Sequence, residues 1–128
     1  MSGRAALRVV FSDAAASLRE VLDWGGSGPP LVFPAGGGNS TPHEFDEFAP
    51  RFTDRHRVIG ITRRGRDGSS ATRLQGFDDY VDDIVAVLDA FHVERAVLVG
   101  HSFAGLEMAR FGEKPGGRCA ALIYLDGR

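Results

Sequence analysis

The sequence predicts an α/β domain, a mostly parallel sheet of about six strands with helices on both faces. Three observations predict it. Short apolar runs recur at Leu31–Phe33, Val58–Ile61, Ala96–Val99 and Ala120–Leu125, without the polar alternation of a sheet half open to water. Between the second and third runs lies the strongest helical period in the chain. There Phe77, Tyr80, Val81, Ile84, Val87, Leu88 and Phe91 step by three and four. Glycine and proline clusters, such as Gly25–Pro30 and Glu113–Arg118, punctuate the runs as tight turns.

The elements follow in order. Leu7–Phe11 and Leu18–Trp24 read as two strands around a turn at residues 12–16. Their polar insertions Arg8, Arg19, Glu20 and Asp23 suit partly exposed strands near a sheet edge. Leu31–Phe33 is a short buried strand, followed by the loop Pro34-Ala35-Gly36-Gly37-Gly38-Asn39-Ser40. Thr41, Pro42 and Glu44 form a helix start. Thr41 is the N-cap, Pro42 suits the first helical position, and Glu44 completes a capping box. Phe45, Phe48 and Phe52 then share one face at helical spacing. Val58–Ile61 is the next strand, and 63–70 is a polar loop. In the periodic helix that follows, Asp78, Asp79, Asp82 and Asp83 take the outward positions of the early turns. A strand at Ala96–Val99, a short helix to about Phe111 and a last buried strand, Ala120–Leu125, ending at Asp126, complete the order.

At 128 residues the chain has the size of one domain with a real core, and we read it as one. Its net charge of -2, without a basic block, gives no argument for nucleic acid or an anionic membrane. The single Cys119 excludes an internal disulfide and reads as a small buried hydrophobe. No secretory signal and no membrane-length apolar run is visible, so the expectation is a soluble cytoplasmic protein. No metal or cofactor is implied.

The segment with the most chemistry in it is Gly100-His101-Ser102-Phe103-Ala104-Gly105. A small residue, a spacer, a serine, a spacer and a small residue between strand and helix form the nucleophile-elbow pattern. Small residues flank the serine because the turn is too tight for side chains two positions away on either side. The other reading, a glycine-flanked serine that merely opens a helix, does not explain why strand, elbow and helix coincide. The glycine loop at 36–38 could also cradle a phosphate. It lacks the spacing of a P-loop or a dinucleotide site.

Taken in order, the motifs resemble the α/β-hydrolase superfamily. Trp24–Pro30 is similar to the lead-in to the third strand, and Gly36-Gly37-Gly38-Asn39 stands at the oxyanion loop. Ile61-Thr62-Arg63-Arg64-Gly65 resembles the arginine-glycine loop after the fourth strand. Val97–Ser102 resembles the fifth strand and elbow, and Leu122–Asp126 the sixth strand. There are departures. Ala35-Gly36 stands where many relatives have His-Gly, and the loop at Arg66-Asp67-Gly68-Ser69 is one residue longer. The two last strands, which carry the family's acid and histidine, are not in this sequence. The resemblance therefore implies a chain truncated at its C-terminus.

It also implies a serine hydrolase acting on an ester or similar small carbonyl compound. Ser102 would be the nucleophile, with the backbone N–H groups of Gly37 and Phe103 as the oxyanion hole. Gly36, His43 and His101 are candidates for contact with substrate. Asp126 is a candidate acid, although a turn or cap aspartate is the preferred reading there. None of the four histidines (43, 56, 92 and 101) falls where the family puts its base. The alternatives are a non-catalytic small-molecule-binding domain of the same fold, or an inactive fragment. The expected partners are a small-molecule substrate and, through the uncovered edge of the sixth strand, a second copy of the chain.

Overall fold

The computed structural model describes residues 6–12, 18–34, 42–62, 78–101, 104–113 and 117–125. The strands are β1 (Leu7–Ser12), β2 (Leu18–Gly25), β3 (Pro30–Pro34), β4 (Arg57–Ile61), β5 (Ala96–Gly100) and β6 (Cys119–Tyr124). They form one sheet in the order β1-β2-β4-β3-β5-β6. β1 and β2 pair antiparallel, and β2 runs antiparallel to β4. β4, β3, β5 and β6 are mutually parallel. Two α-helices, α1 (Asp78–Ala90) and α2 (Ala104–Glu113), connect β4 to β5 and β5 to β6. The α/β class and the six-stranded, mostly parallel sheet agree with the sequence reading.

Each face of the sheet has its own apolar layer. On one face α1 and α2 bury Val81, Ile84, Val87, Leu88, Met108 and Phe111 against Val21, Val32, Ile59 and Leu98. On the other, Phe45 and Ala49 cover Leu22, Trp24, Leu31, Phe33, Val58 and Val99. The side-chain period of two makes this division: Val21 and Leu22 are adjacent on β2 and face opposite layers.

Several local expectations are corrected. The helix expected from Thr41 onward is instead two 3-10 turns, Pro42–Phe45 and Ala49–Phe52. Pro50 has no N–H to give to the carbonyl four residues back, and its ring would clash with that carbonyl, so no continuous α-helix can run through the segment, and Pro50 stands in the first turn of the second 3-10 helix. The phenylalanines still gather. The Phe33 and Phe45 rings lie 4.8 Å apart, and Phe48 and Phe52 lie 5.1 Å apart.

Two polar residues of β2 are not partly exposed, while Asp23 is half-buried. Arg19 and Glu20 are buried, because β2 lies inside the sheet. Glu20 accepts a hydrogen bond from the Thr62 hydroxyl at 2.7 Å and pairs with Arg8. Asp83, expected to point outward on its helix, is buried as well and pairs with Arg19 at 2.9 Å. A buried charge needs such a partner to offset its desolvation.

Arg95 and Arg118 tie the start of β5 to the start of β6. The Arg95 guanidinium donates to the carbonyls of Gly117 and Cys119, and Arg118 donates to those of Glu94 and Val93. The last strand is not buried as expected: along β6 Cys119 and Leu122 are half-buried and the other four residues are exposed, because among the described residues β6 ends the sheet. Burial pushes the Cys119 thiol pKa up, against the lowering effects of a backbone hydrogen bond at Ala121 and the charge of Arg95. Since the thiolate is the reactive form, iodoacetamide should alkylate Cys119 at neutral pH more slowly than it alkylates free cysteine. An equal or faster rate would contradict this reading of its surroundings.

Among the described residues, no helix is long and apolar enough to cross a membrane.

Candidate active site

The topology defines where a site belongs. β3 has β4 on one side and β5 on the other, so successive connections leave it in opposite directions. At such a switch point the loops beyond the carboxyl ends of the strands part and leave a crevice. The two loops in question follow Pro34 and Gly100, the last residues of β3 and β5. The sequence motifs of interest, the glycine loop and the serine elbow, are those two loops.

The described residues explain why the elbow needs small neighbours. A Cβ on Gly100 would lie 2.7 Å from the Met108 sulfur and 3.3 Å from the Ala104 Cβ. The strand end thus packs directly on the first and second turns of α2. Ala104 is itself fully buried, and a Cβ on Gly105 would touch the Tyr124 ring at 3.4 Å. The carbonyl of His101 accepts a hydrogen bond from Ala104 N–H at 3.1 Å, so the chain reverses at once from strand to helix. The Gly100 carbonyl accepts from Leu125 N–H at 2.8 Å, which fastens the end of β6 beside the elbow.

Ser102, Phe103, Gly36, Gly37 and Asp126 lie outside the described residues. Their flanks are described. Gly100–His101 and Ala104 bracket the serine, Pro34 and Pro42 bracket the glycine loop, and Leu125 precedes Asp126.

His101 and His43 are both described, and both are engaged. His101 Nε2–H donates to the Glu44 carboxylate in a short contact. Its ring also meets the Phe45 ring edge-to-face, with centroids 5.8 Å apart. His43 is more exposed and donates from Nδ1 to Asp46 at 2.9 Å. The other Asp46 oxygen accepts from the Trp24 indole N–H at 3.2 Å. His56 donates from Nδ1 to the Pro29 carbonyl at 2.8 Å, at the amino end of β3. His92 follows α1 just before β5, at that same end of the sheet.

Sequence reasoning missed Glu44. Its capping-box partner Thr41 lies outside the described residues, and its carboxylate meets His101, 57 positions away in sequence. No local spacing signals a contact that depends on how β5 sits beside β3.

Among the described residues, no group of three His, Cys, Asp or Glu side chains could hold a metal ion. An open cleft of about 710 Å³ lies at the opposite end of the sheet, between Asp89, His92, Arg95 and Arg118. Its arginines are the ones already tied to backbone carbonyls, which marks it as part of the β5–β6 brace.

A family model described as alpha/beta hydrolase fold matches residues 29–127. The chain belongs to the α/β-hydrolase fold family. Among curated relatives, a non-heme chloroperoxidase of Burkholderia pyrrocinia is 38% identical over 76 residues, 56% of this chain and 27% of the relative. A bifunctional esterase/perhydrolase of Acinetobacter calcoaceticus is 35% identical over 92 residues, 70% of this chain and 33% of the relative. This α/β-hydrolase chain therefore matches only about a quarter to a third of their lengths. In fold it is similar to the crystal structure of E-2-(acetamidomethylene)succinate hydrolase, with a TM-score of 0.84 and 24% identity. That match covers 96% of this chain and 45% of the other.

Proposed function

We propose that this α/β-hydrolase chain carries the nucleophile and oxyanion hole of a serine hydrolase for an ester or similar small carbonyl substrate. The observation that carries the reading is the position of Gly100-His101-Ser102-Phe103-Ala104. The motif follows the β5 end at the switch point, with small residues packed where the elbow requires them. The esterase/perhydrolase among its relatives supports the choice of substrate class.

In the proposed reaction the Ser102 hydroxyl adds to the substrate carbonyl as a general base takes its proton. The oxyanion that forms accepts hydrogen bonds from the backbone N–H groups of Gly37 and Phe103. Loss of one such donor typically costs about a hundred- to a thousandfold in rate. The acyl–oxygen bond then breaks, the alcohol leaves with a proton, and water releases the acyl group from Ser102 by the same steps. We assign the base to sequence outside these 128 residues, because none of the four histidines falls where the family puts its base. His56 is tied to the amino end of β3, and His92 lies at that same end of the sheet. Asp126 is the in-chain candidate for the acid, and its support is Leu125, which fastens the end of β6 to Gly100.

The test is a fluorophosphonate probe applied to the full-length protein. Ser102 should be labelled, and Ser102→Ala should remove both the label and ester turnover, a loss on the order of a millionfold in kcat. A protein that binds esters but leaves the probe unreacted is a binding domain, and this reading then fails.

A further inference from the structure

We propose that Glu44 is a positioning residue that sets the distance between the two halves of the oxyanion hole, acting through His101. The inference rests on the serine-hydrolase reading and goes beyond it in naming what aligns the site.

The two proposed oxyanion donors come from separate parts of the chain. Gly37 belongs to the loop after β3, and Phe103 to the elbow after β5. Each loop is anchored by its own strand, but between β3 and β5 the pairing extends only over Leu31–Val97 and Val32–Leu98. Backbone pairing thus stops two residues short of the ends of both strands. Among the described residues, a side-chain contact joins the two sides beyond that point. The glycine loop ends on the 3-10 turn Pro42–Phe45, and Glu44 of that turn accepts the Nε2–H of His101. His101 is the residue immediately before Ser102.

The contact is held from below. Phe45, adjacent to Glu44, is buried and meets the His101 ring edge-to-face. Phe45 packs in turn on Phe33 of β3 at 4.8 Å. One imidazole is therefore fixed by an acceptor and a ring, both from the turn that ends the glycine loop. Both partners are about 30% exposed, at 30% for His101 and 28% for Glu44. The pair therefore sits at the surface of the crevice and not deep in the core. An ionised carboxylate only accepts, so Nε2 carries the hydrogen of this contact.

The consequence is kinetic. Oxyanion donors act only on the charge that develops in the transition state, so their misalignment lowers kcat and leaves ground-state binding alone. Displacement by about an ångström can cost about a hundredfold. In the full-length protein, Glu44→Ala should lower kcat for p-nitrophenyl acetate by about tenfold to a hundredfold, with KM unchanged. Glu44→Gln should recover most of the loss, because the amide oxygen can still accept from Nε2–H.

A second readout needs no activity. The His101 Nε2–H proton should give a protected NMR signal in the parent chain and in Glu44→Gln, and none in Glu44→Ala. Unchanged kcat in Glu44→Ala, a parallel rise in KM, or failure of Glu44→Gln to recover would each overturn the proposal. If the parent protein is not labelled by the fluorophosphonate, the hydrolase reading fails, and the positioning role falls with it. An intact His101 signal would then show the tether itself to be sound.

Discussion

Gly26→Ala is expected to unfold this chain or to lower its melting temperature more than a glycine-to-alanine change at any other described glycine outside the elbow. Gly26 has φ +87°, a region that costs an L-residue about 1–2 kcal/mol. The larger cost is steric. A Cβ there would stand 2.0 Å from the His56 carbonyl oxygen and 2.8 Å from that of Thr53. Both are backbone atoms, and neither can swing aside as a side chain can. Two residues on, a Cβ on Gly28 would meet the Arg55 carbonyl at 2.2 Å. The connection from β2 to β3 is thus laid directly on the backbone that leads into β4, and His56 is hydrogen-bonded back to Pro29. Overpacking adds about 1–3 kcal/mol to the conformational cost. The sum is a large share of the about 5–15 kcal/mol that holds a domain together.

Gly117 provides the control. Its φ of +66° is also positive, but a Cβ there meets nothing within 4 Å. Gly117→Ala should therefore cost only the conformational part. Thermal or urea unfolding of the two variants measures the difference. Equal losses would show that the contact with 53–56 carries no weight.

The second large effect concerns association. Produced as these 128 residues, the chain is expected to self-associate, and we infer that β6 pairs with β6 of a second copy. Among the described residues β6 pairs only with β5, and its other edge ends the sheet. Cys119–Leu125 contains no charge and no proline, the usual devices that keep an edge strand from recruiting another. Ile123 and Tyr124 are 44% and 47% exposed. The opposite edge strand, β1, by contrast carries Arg8. Two neutral β6 strands can meet about a two-fold axis without like-charge repulsion.

Light scattering over a wide concentration range should show dimers or larger species. Ile123→Lys should return them to monomer without loss of secondary structure, since that side chain is already half-exposed. A parent chain that stays monomeric throughout, with a concentration-independent melting temperature, would overturn the inference.

Much of this molecule is legible in its residues. The three-and-four spacing from Tyr80 to Phe91 specifies α1, because only a helix brings those side chains to one face. The apolar runs at Leu31–Phe33, Val58–Ile61 and Ala96–Val99 lie within β3, β4 and β5, because strands covered on both faces have no polar side to show. The elbow's small residues foretell the close packing of Gly100 on Ala104 and Met108. All of these are local patterns, in which a residue's role follows from neighbours a few positions away.

What the tertiary structure alone decided is where the charged side chains go and what they hold. By local pattern Asp83 belongs to an exposed acidic face, and Arg19 and Glu20 to a partly exposed strand near a sheet edge. Yet β4 inserts beside β2, and α1 lies across it. All three are then buried and matched to partners far along the chain. Glu44 likewise gives no local sign of His101, which β5 brings beside it. The physical reason is common to these cases. Apolar burial is non-directional and leaves a periodic trace in the sequence. A hydrogen bond or ion pair depends on one partner at one distance, and that partner exists only once the sheet is assembled.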